Sequence, residues 1–262
     1  MLLCLIFCYN KFNFNLFNFP SDSEILNCFG ATSILYNNNN NNNNNNKPKK
    51  RHTLPKADKD KISETIPHTF MQVLVGVLMS DGTLSMTGNM ARLSIQQTHF
   101  ELSNGLWLMC KNLRLVFADI YTIDRNNWKT IYAFQTLTFP FLTELFKMWY
   151  VNINGHNIKI LPHNIFELFT PISFAFLIMG DGGWDKSSSR LFLHLNNFTL
   201  TEIKIVQNIL LVKFNIESTN YKVQHAYPDR GYIIAIPRKE INKVRELTQN
   251  HIYPSLLYKL GL

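Results

Sequence analysis

Residues 74–82 read LVGVLMSDG, and residues 174–182 read FAFLIMGDG. Each is an apolar run that stops at an Asp-Gly pair. A helix that is apolar almost all round has no face to offer water, so both must be buried. Two such helices in one chain meet that need by packing on one another. Small residues permit a close approach: Gly76 and Ser80 share a face at i, i+4, and Ala175 and Gly180 offer similar room in the second helix. Asp81 and Asp181 stand 100 positions apart. The chain therefore reads as an internal duplication whose halves meet along these two helices.

Other features repeat at nearly the same interval. Arg92-Leu93 matches Arg190-Leu191, and Phe100 matches Phe198, both at spacing 98. Phe139-Pro140 matches Ile236-Pro237 at 97, and Lys159 matches Lys259 at 100. In the first half the pattern predicts helices over 71–80, 100–115 and 141–150, with strands over 91–98 and 128–138. In the second half Thr170-Pro171 opens a helix over 172–180, a strand spans 189–196, and a helix over 201–214 has Thr199 or Thr201 as its cap. Strands over 221–227 and 231–237 flank the turn signature Pro228-Asp-Arg-Gly231, and a last helix covers 239–250. Each half reduces to αββαββα. The expected class is α+β, with two pseudo-symmetric αββαββα repeats over 67–165 and 166–262.

Residues 1–66 differ. Asn37 to Asn46 is an unbroken asparagine tract, followed by Lys47-Pro-Lys-Lys-Arg51. Such a stretch cannot bury enough apolar surface to fold alone, so a disordered N-terminal extension is expected. The basic run is a solvated linker, or else a nuclear address or a loose nucleic-acid tether. The 262-residue chain is 46% hydrophobic and carries a formal charge of +8, which suggests a polyanionic partner. Cys4, Cys8, Cys28 and Cys110 show no metal-ligand spacing with histidine and read as reduced thiols. No run reaches the ~20 apolar residues of a membrane span, so no membrane partner is expected. The start, MLLCLIFCYNKF, has a short apolar run but no basic n-region, clear small-residue cleavage site or Arg-rich amphipathic pattern, so neither a signal nor a transit peptide is expected there.

Two carboxylates brought together at buried helix ends repel one another. The helix dipoles worsen the repulsion, because a helix C-terminus already carries partial negative charge. A divalent cation between them removes the cost. All-oxygen ligands suit Mg²⁺, which keeps several waters and accepts phosphate oxygens. That is equipment for phosphodiester hydrolysis. An Asp-Gly helix terminator would explain one copy; two copies at matched spacing in a basic chain favour the metal.

The two segments resemble the signature motifs of the LAGLIDADG homing endonucleases of the single-chain type. Leu161-Pro-His-Asn-Ile-Phe-Glu-Leu-Phe-Thr-Pro171, the Asp-Gly-Gly-Trp184 string and Tyr253-Pro-Ser-Leu-Leu-Tyr-Lys259 are similar to the intron-encoded mitochondrial branch of that family. The resemblance covers Pro67 to Leu262. It implies a DNA-binding saddle of two four-stranded antiparallel sheets with the motif helices as its seam. It implies Asp81 and Asp181 as metal ligands, the carbonyls of Ser80 and Gly180 as further ligands, and Lys159 and Lys259 as basic residues beside the metals. There they would order water or neutralise phosphate charge. Phe176 stands where the motif has glycine. It either fills the space left by Gly76 across the seam or pushes the helices apart. Met79 and Met179 replace the motif's first aspartate, which is not the metal ligand.

Strand alternation puts Arg92, Ser94, Gln96 and Thr98 on one face, with Leu93 and Ile95 opposite. In the second half Arg190, His194 and Asn196 share a face opposite Leu191, Leu193 and Leu195. Amide and guanidinium groups on a ribbon suit base reading in the major groove. Lys129, Gln135, Lys222, Gln224, Arg230 and Arg238 are further candidates, some for phosphate. The halves differ here, so an imperfectly palindromic double-stranded target is expected. The leading expectation is a monomeric, Mg²⁺-dependent endonuclease that cuts the intronless allele, leaves short cohesive 3′ ends and spreads its own intron. The alternatives are a maturase acting on intron RNA and a non-cleaving DNA-binding relic. Abundant asparagine and phenylalanine suggest AT-rich coding and a mitochondrial reading frame, with the nucleus as the lesser alternative.

Overall fold

The computed structural model describes residues 53–124, 129–223 and 230–262. The asparagine tract, the basic run, Cys4, Cys8 and Cys28 lie outside the described residues. Helix α1 (Lys56–Glu64) precedes α2 (His68–Met79), the first motif helix. Strands β1 (Thr83–Thr87) and β2 (Met90–Gln97), helix α3 (Phe100–Asn112), strands β3 (Tyr121–Ile123) and β4 (Ile131–Gln135), and helix α4 (Pro140–Trp149) complete the first set. A two-stranded ribbon, β5 (Tyr150–Ile153) and β6 (His156–Lys159), and the short helix α5 (Ile165–Leu168) lead across. The second motif helix α6 (Pro171–Asp181) opens the second set. It continues through β7 (Gly182–Asp185), β8 (Arg190–Leu193), α7 (Leu200–Phe214), β9 (Thr219–Lys222), β10 (Tyr232–Ile236) and α8 (Ile241–Thr248).

Both four-stranded sheets are antiparallel with the same strand order, β1-β2-β4-β3 and β7-β8-β10-β9. The αββαββα expectation thus holds in each half. The registers also explain why the repeat interval changes along the chain. Ser85 pairs with Arg92, and Asp185 pairs with Arg190. The second hairpin is two residues shorter, so a spacing of 100 before it becomes 98 after it. Arg92 and Arg190 are therefore true equivalents. Phe100 and Phe198 are not: Phe100 is the exposed first residue of α3, whereas Phe198 is buried ahead of the cap of α7.

Each sheet carries helices on one face only. Leu84, Leu93, Ile95 and Phe134 are buried beneath α3 and α4, and Leu191, Leu193, Ile234 and Ile236 beneath α7. Burying each such side chain contributes about 1.5–3 kcal/mol. Helix α7 is fixed by a capping box in which the Thr199 hydroxyl accepts from Glu202 N–H and the Glu202 carboxylate accepts from Thr199 N–H. In α6 the Thr170 hydroxyl accepts from Ser173 N–H.

Two expectations are corrected. Disorder to residue 66 does not hold for 56–64. Helix α1 buries none of its own residues, which is why its pattern is silent in the sequence, but Lys59 Nζ donates to Thr138 Oγ1 at 3.0 Å beside α4. Second, the long 128–138 and 189–196 strands are shorter, β1, β3 and β7 complete the αββαββα order at residues the pattern did not mark, and the β5–β6 ribbon lies outside that order. These are brief segments with too few apolar residues to alternate visibly.

Candidate active site at the helix seam

Helices α2 and α6 pack along their length, and their apolar residues are buried almost without exception. The approach is close enough to demand glycine. A Cβ on Gly76 would lie 2.2 Å from the Ser173 carbonyl oxygen and 2.8 Å from Phe176 Cβ. A Cβ on Gly180 would lie 2.6 Å from Ser80 Cβ and 3.8 Å from Asp81 Oδ2. Phe176 therefore fills the space that Gly76 leaves and does not wedge the seam open. The residue facing Gly76 is Ser173 rather than Ala175.

Both helices end where the seam meets the sheets, and the two aspartates leave from these ends. Asp81 reaches solvent and Asp181 is half-buried, yet burial by surrounding protein atoms is the largest influence on both carboxyl groups. Burial is the main force raising the pKa of Asp81, opposed by a 2.9 Å hydrogen bond from Gln97 Nε2 to Oδ2 and by the charges of Lys259 and Lys159. Asp181 is pushed up to about 7, by burial first and by the charge of Asp81 second. The two carboxylates thus feel each other, as two acids at converging helix ends must.

Two lysines hold the same helix ends. Lys159 Nζ, at the end of β6, donates to the carbonyls of Gly82 at 2.7 Å and Ser80 at 3.3 Å. Lys259 Nζ, near the C-terminus, donates to the carbonyls of Met179 at 2.6 Å and Gly180 at 2.9 Å. They supply positive charge where the helix dipoles are negative. Burial pulls both lysines down to about 8, against the pull of Asp181 and Asp81. Lys159 is held from the second half: Arg230 Nη1 donates to its carbonyl at 3.4 Å, and Leu161 N–H donates to Glu202 Oε1 at 2.7 Å.

The oxygen set suits a hard divalent cation. Two carboxylates, one of them driven towards protonation by burial and by the other's charge in spite of the two nearby lysines, converge beside the carbonyls of Ser80 and Gly180. Among the described residues no three His, Cys, Asp or Glu side chains form a metal cage. A divalent cation held by the two carboxylates would take further ligands from elsewhere than such side chains.

The outer sheet faces place the remaining candidates. Arg92, Ser94 and Gln96 share the helix-free face with Gln135, which pairs with Ser94. Thr98 is exposed just past β2, and Lys129 is exposed ahead of β4. Arg190 lies on the helix-free face of the second sheet, where its Nη1 donates to Tyr221 Oη at 3.4 Å. His194 and Asn196 lie beyond the end of β8. His194 N–H donates to the Asp181 carbonyl at 2.9 Å, and burial with the charge of Lys259 lowers its imidazole pKa, so it belongs to the rim of the acidic site. Lys222 pairs with Tyr232 and its ammonium lies over that ring. Tyr232 alternates with Ile234, so Lys222 is on the helix-bearing face, away from Arg190. Arg230 is engaged with the carbonyls of Lys159 and Asn197. Arg238 is exposed on the single turn (Arg238–Glu240) ahead of α8, off the strands. Gln224 lies outside the described residues.

A profile of the LAGLIDADG DNA endonuclease family matches residues 71–244. The chain belongs to this family. It is 30% identical over 215 residues to a cytochrome b mRNA maturase bI2 of Debaryomyces hansenii, an alignment covering 79% of each chain. It is 32% identical over 119 residues to a probable intron-encoded endonuclease 1 of Wickerhamomyces canadensis, covering 44% of this chain and 49% of that protein. Among solved structures, the homing endonuclease I-WcaI bound to its DNA recognition sequence shares the fold, with a TM-score of 0.66 and 22% identity over 78% of this chain and 91% of that one.

Sequence reasoning missed three residues around this LAGLIDADG seam. Gln97 holds Asp81, and its signal was present: an amide continues the buried alternation of Leu93 and Ile95. His99, ahead of α3, feels the charges of Lys259, Lys129 and Asp81, while burial lowers its pKa. Glu202 serves the cap of α7 and the backbone after Lys159 at once, which no local pattern reveals. Cys110 is buried, with its thiol pushed up to about 12, and is chemically inert.

Proposed function

We propose that this chain is a site-specific, Mg²⁺-dependent double-strand DNA endonuclease that promotes the mobility of its own intron. The observation that carries the reading is the pairing of Asp81 and Asp181 at the ends of two close-packed helices, with Asp181 pushed up to about 7. In this reading the two carboxylates hold the cation, with the Ser80 and Gly180 carbonyls beside them. A bound cation supplies Lewis acidity and charge neutralisation at the scissile phosphate. Gln97 orients Asp81 and opposes the upward push of burial on its pKa. Lys159 and Lys259 hold the helix ends in place and offset the negative charge gathered there. Arg92, Ser94, Gln96 and Gln135 in one half, and Arg190 in the other, face the duplex and read base edges or phosphates.

One chain carries both halves of the site, which supports a monomer. The alternative is a maturase that binds intron RNA, favoured by the similarity to a relative whose name is a cytochrome b mRNA maturase. That name and the AT-rich coding signature support a mitochondrial location. No helix of the described residues is long and apolar enough to cross a membrane.

The test incubates the full chain with the intronless junction of its host gene, with Mg²⁺ or with EDTA, alongside the intron RNA. A Mg²⁺-dependent double-strand break at one position supports the endonuclease. Salt-sensitive junction binding without a break marks a non-cleaving relic, and preferential RNA binding without a break marks a maturase.

A further inference from the structure

The helix-free face of each sheet ends in an exposed tyrosine. Tyr121 lies on β3 and Tyr221 on β9, each the edge strand farthest in order from the strand that leaves the motif helix. They are 100 positions apart, as Asp81 and Asp181 are. Tyr121 pairs with Ala133, and Ala133 with Gln96. Tyr221 pairs with Ile233, and continuing the β8–β10 register by one residue brings Ile233 opposite His194. The two tyrosines thus occupy equivalent places in equivalent cross-strand rows. Their exposures match too, at 45% and 46%.

The rest of each row has diverged: Gln96 against His194, and Ala133 against Ile233. The tyrosine has not. An exposed aromatic on an edge strand is a liability, and such edges are ordinarily blunted by charge. Its presence twice on the polar, helix-free face calls for a ligand with an apolar target among polar ones. In the major groove that target is the thymine methyl group, the one apolar feature a base pair presents there. Tyr221 Oη is already a partner of Arg190 Nη1 and of Thr219 Oγ1. The ring, rather than the hydroxyl, is therefore the part left to offer.

We propose that Tyr121 and Tyr221 are specificity-determining residues at the outer ends of the two half-sites, each contacting a thymine methyl through its ring. This rests on the DNA-recognition reading above. In this arrangement the polar residues nearer the seam read hydrogen-bonding edges, and the two tyrosines fix the flanks.

The test selects duplexes from a randomised library with the full chain in Ca²⁺ or EDTA, then replaces each preferred thymine by deoxyuridine. The expected result is one outer position on each side where removing the methyl weakens binding about five- to tenfold. Tyr121→Ala should abolish that sensitivity on one side only and Tyr221→Ala on the other, while Tyr→Phe at either position preserves it. The deoxyuridine arm uses the unaltered protein, so it does not depend on the variants folding. If duplexes are enriched but deoxyuridine is neutral at every outer position, or if Phe fails as Ala does, the tyrosine assignment is overturned and DNA recognition stands. If no duplex is enriched, DNA recognition itself falls and the tyrosine assignment with it.

Discussion

Gln97 Nε2 donates a 2.9 Å hydrogen bond to Asp81 Oδ2, and among the described residues no side chain does the same for Asp181. At the matching place in the second half stands Leu195, which is buried. The pseudo-symmetric site is therefore chemically unequal. For one carboxylate a neutral donor opposes the effect of burial, and for the other only the charges of Lys159 and Lys259 oppose burial and its neighbour's charge.

Gln97→Leu removes that donor and makes the halves alike. A hydrogen bond to a charged acceptor is worth about 1.5–3 kcal/mol. The variant should raise the pKa of Asp81 further, lower Mg²⁺ affinity about tenfold at neutral pH, and shift the onset of cleavage to higher pH. A pH–rate profile at fixed Mg²⁺ checks this, and an unchanged profile refutes the role of Gln97.

Asp181 makes a stability prediction. Its folded pKa of about 7 lies above the ordinary value of 3.8. Its contribution is complete below 3.8 and is lost as pH rises through about 7. Lys159 and Lys259 run the other way: their folded pKa of about 8 lies below 10.5, so stability is lost as pH falls through about 8. In EDTA, Asp181→Asn should match the wild type in Tm near pH 4 and exceed it by a few degrees at pH 8. That corresponds to about 1–2 kcal/mol once solvent screening is allowed for. Added Mg²⁺ should close the gap by stabilising the wild type alone. Thermal melts across pH, with and without the metal, provide the measurement.

Gly76→Ala tests the seam itself. The added methyl would meet the Ser173 carbonyl and Phe176 Cβ well inside contact distance. Backbone against backbone cannot yield cheaply, so a loss of about 2–3 kcal/mol is expected, read as a fall in Tm. Gly88→Ala at a surface turn, where no atom lies within 4 Å, controls for general loss of glycine, although its positive φ adds some strain of its own.

The lysines act at the helix ends in the metal-free protein and beside the scissile phosphate in the proposed reaction. Lys159→Met and Lys259→Met should each lower cleavage by about 10- to 100-fold while changing DNA affinity less than about threefold. Wild-type activity should fall above about pH 8 as the ammonium groups lose their protons, and each variant should lose its share of that fall. Cleavage rates and gel-shift affinities measured on one substrate separate the two effects.

The duplication, the αββαββα order and the convergence of Asp81 and Asp181 were legible because each rests on buried apolar runs, which leave a strong periodic trace. The acidic rim was less legible. Gln97, His99 and Glu202 act through long-range contacts to Asp81, to the lysines and to the backbone after Lys159, and a one-dimensional pattern carries such pairings poorly. The face that Lys222 occupies was illegible for the same reason. Its face is set by the register with Tyr232, and polarity alone could not distinguish the two sides of a short edge strand. Helix α1 escaped notice because it is held by side-chain hydrogen bonds such as Lys59 to Thr138, without a buried face of its own.

The central claim is that Asp81 and Asp181 act together on one double-strand break. The most direct measurement compares wild type, Asp81→Asn and Asp181→Asn on the intronless junction in Mg²⁺, scoring cleavage of each strand and binding in parallel. The account predicts that both variants bind within about threefold of wild type and lose cleavage by at least about 1000-fold. Retention of double-strand cleavage by either variant would contradict it.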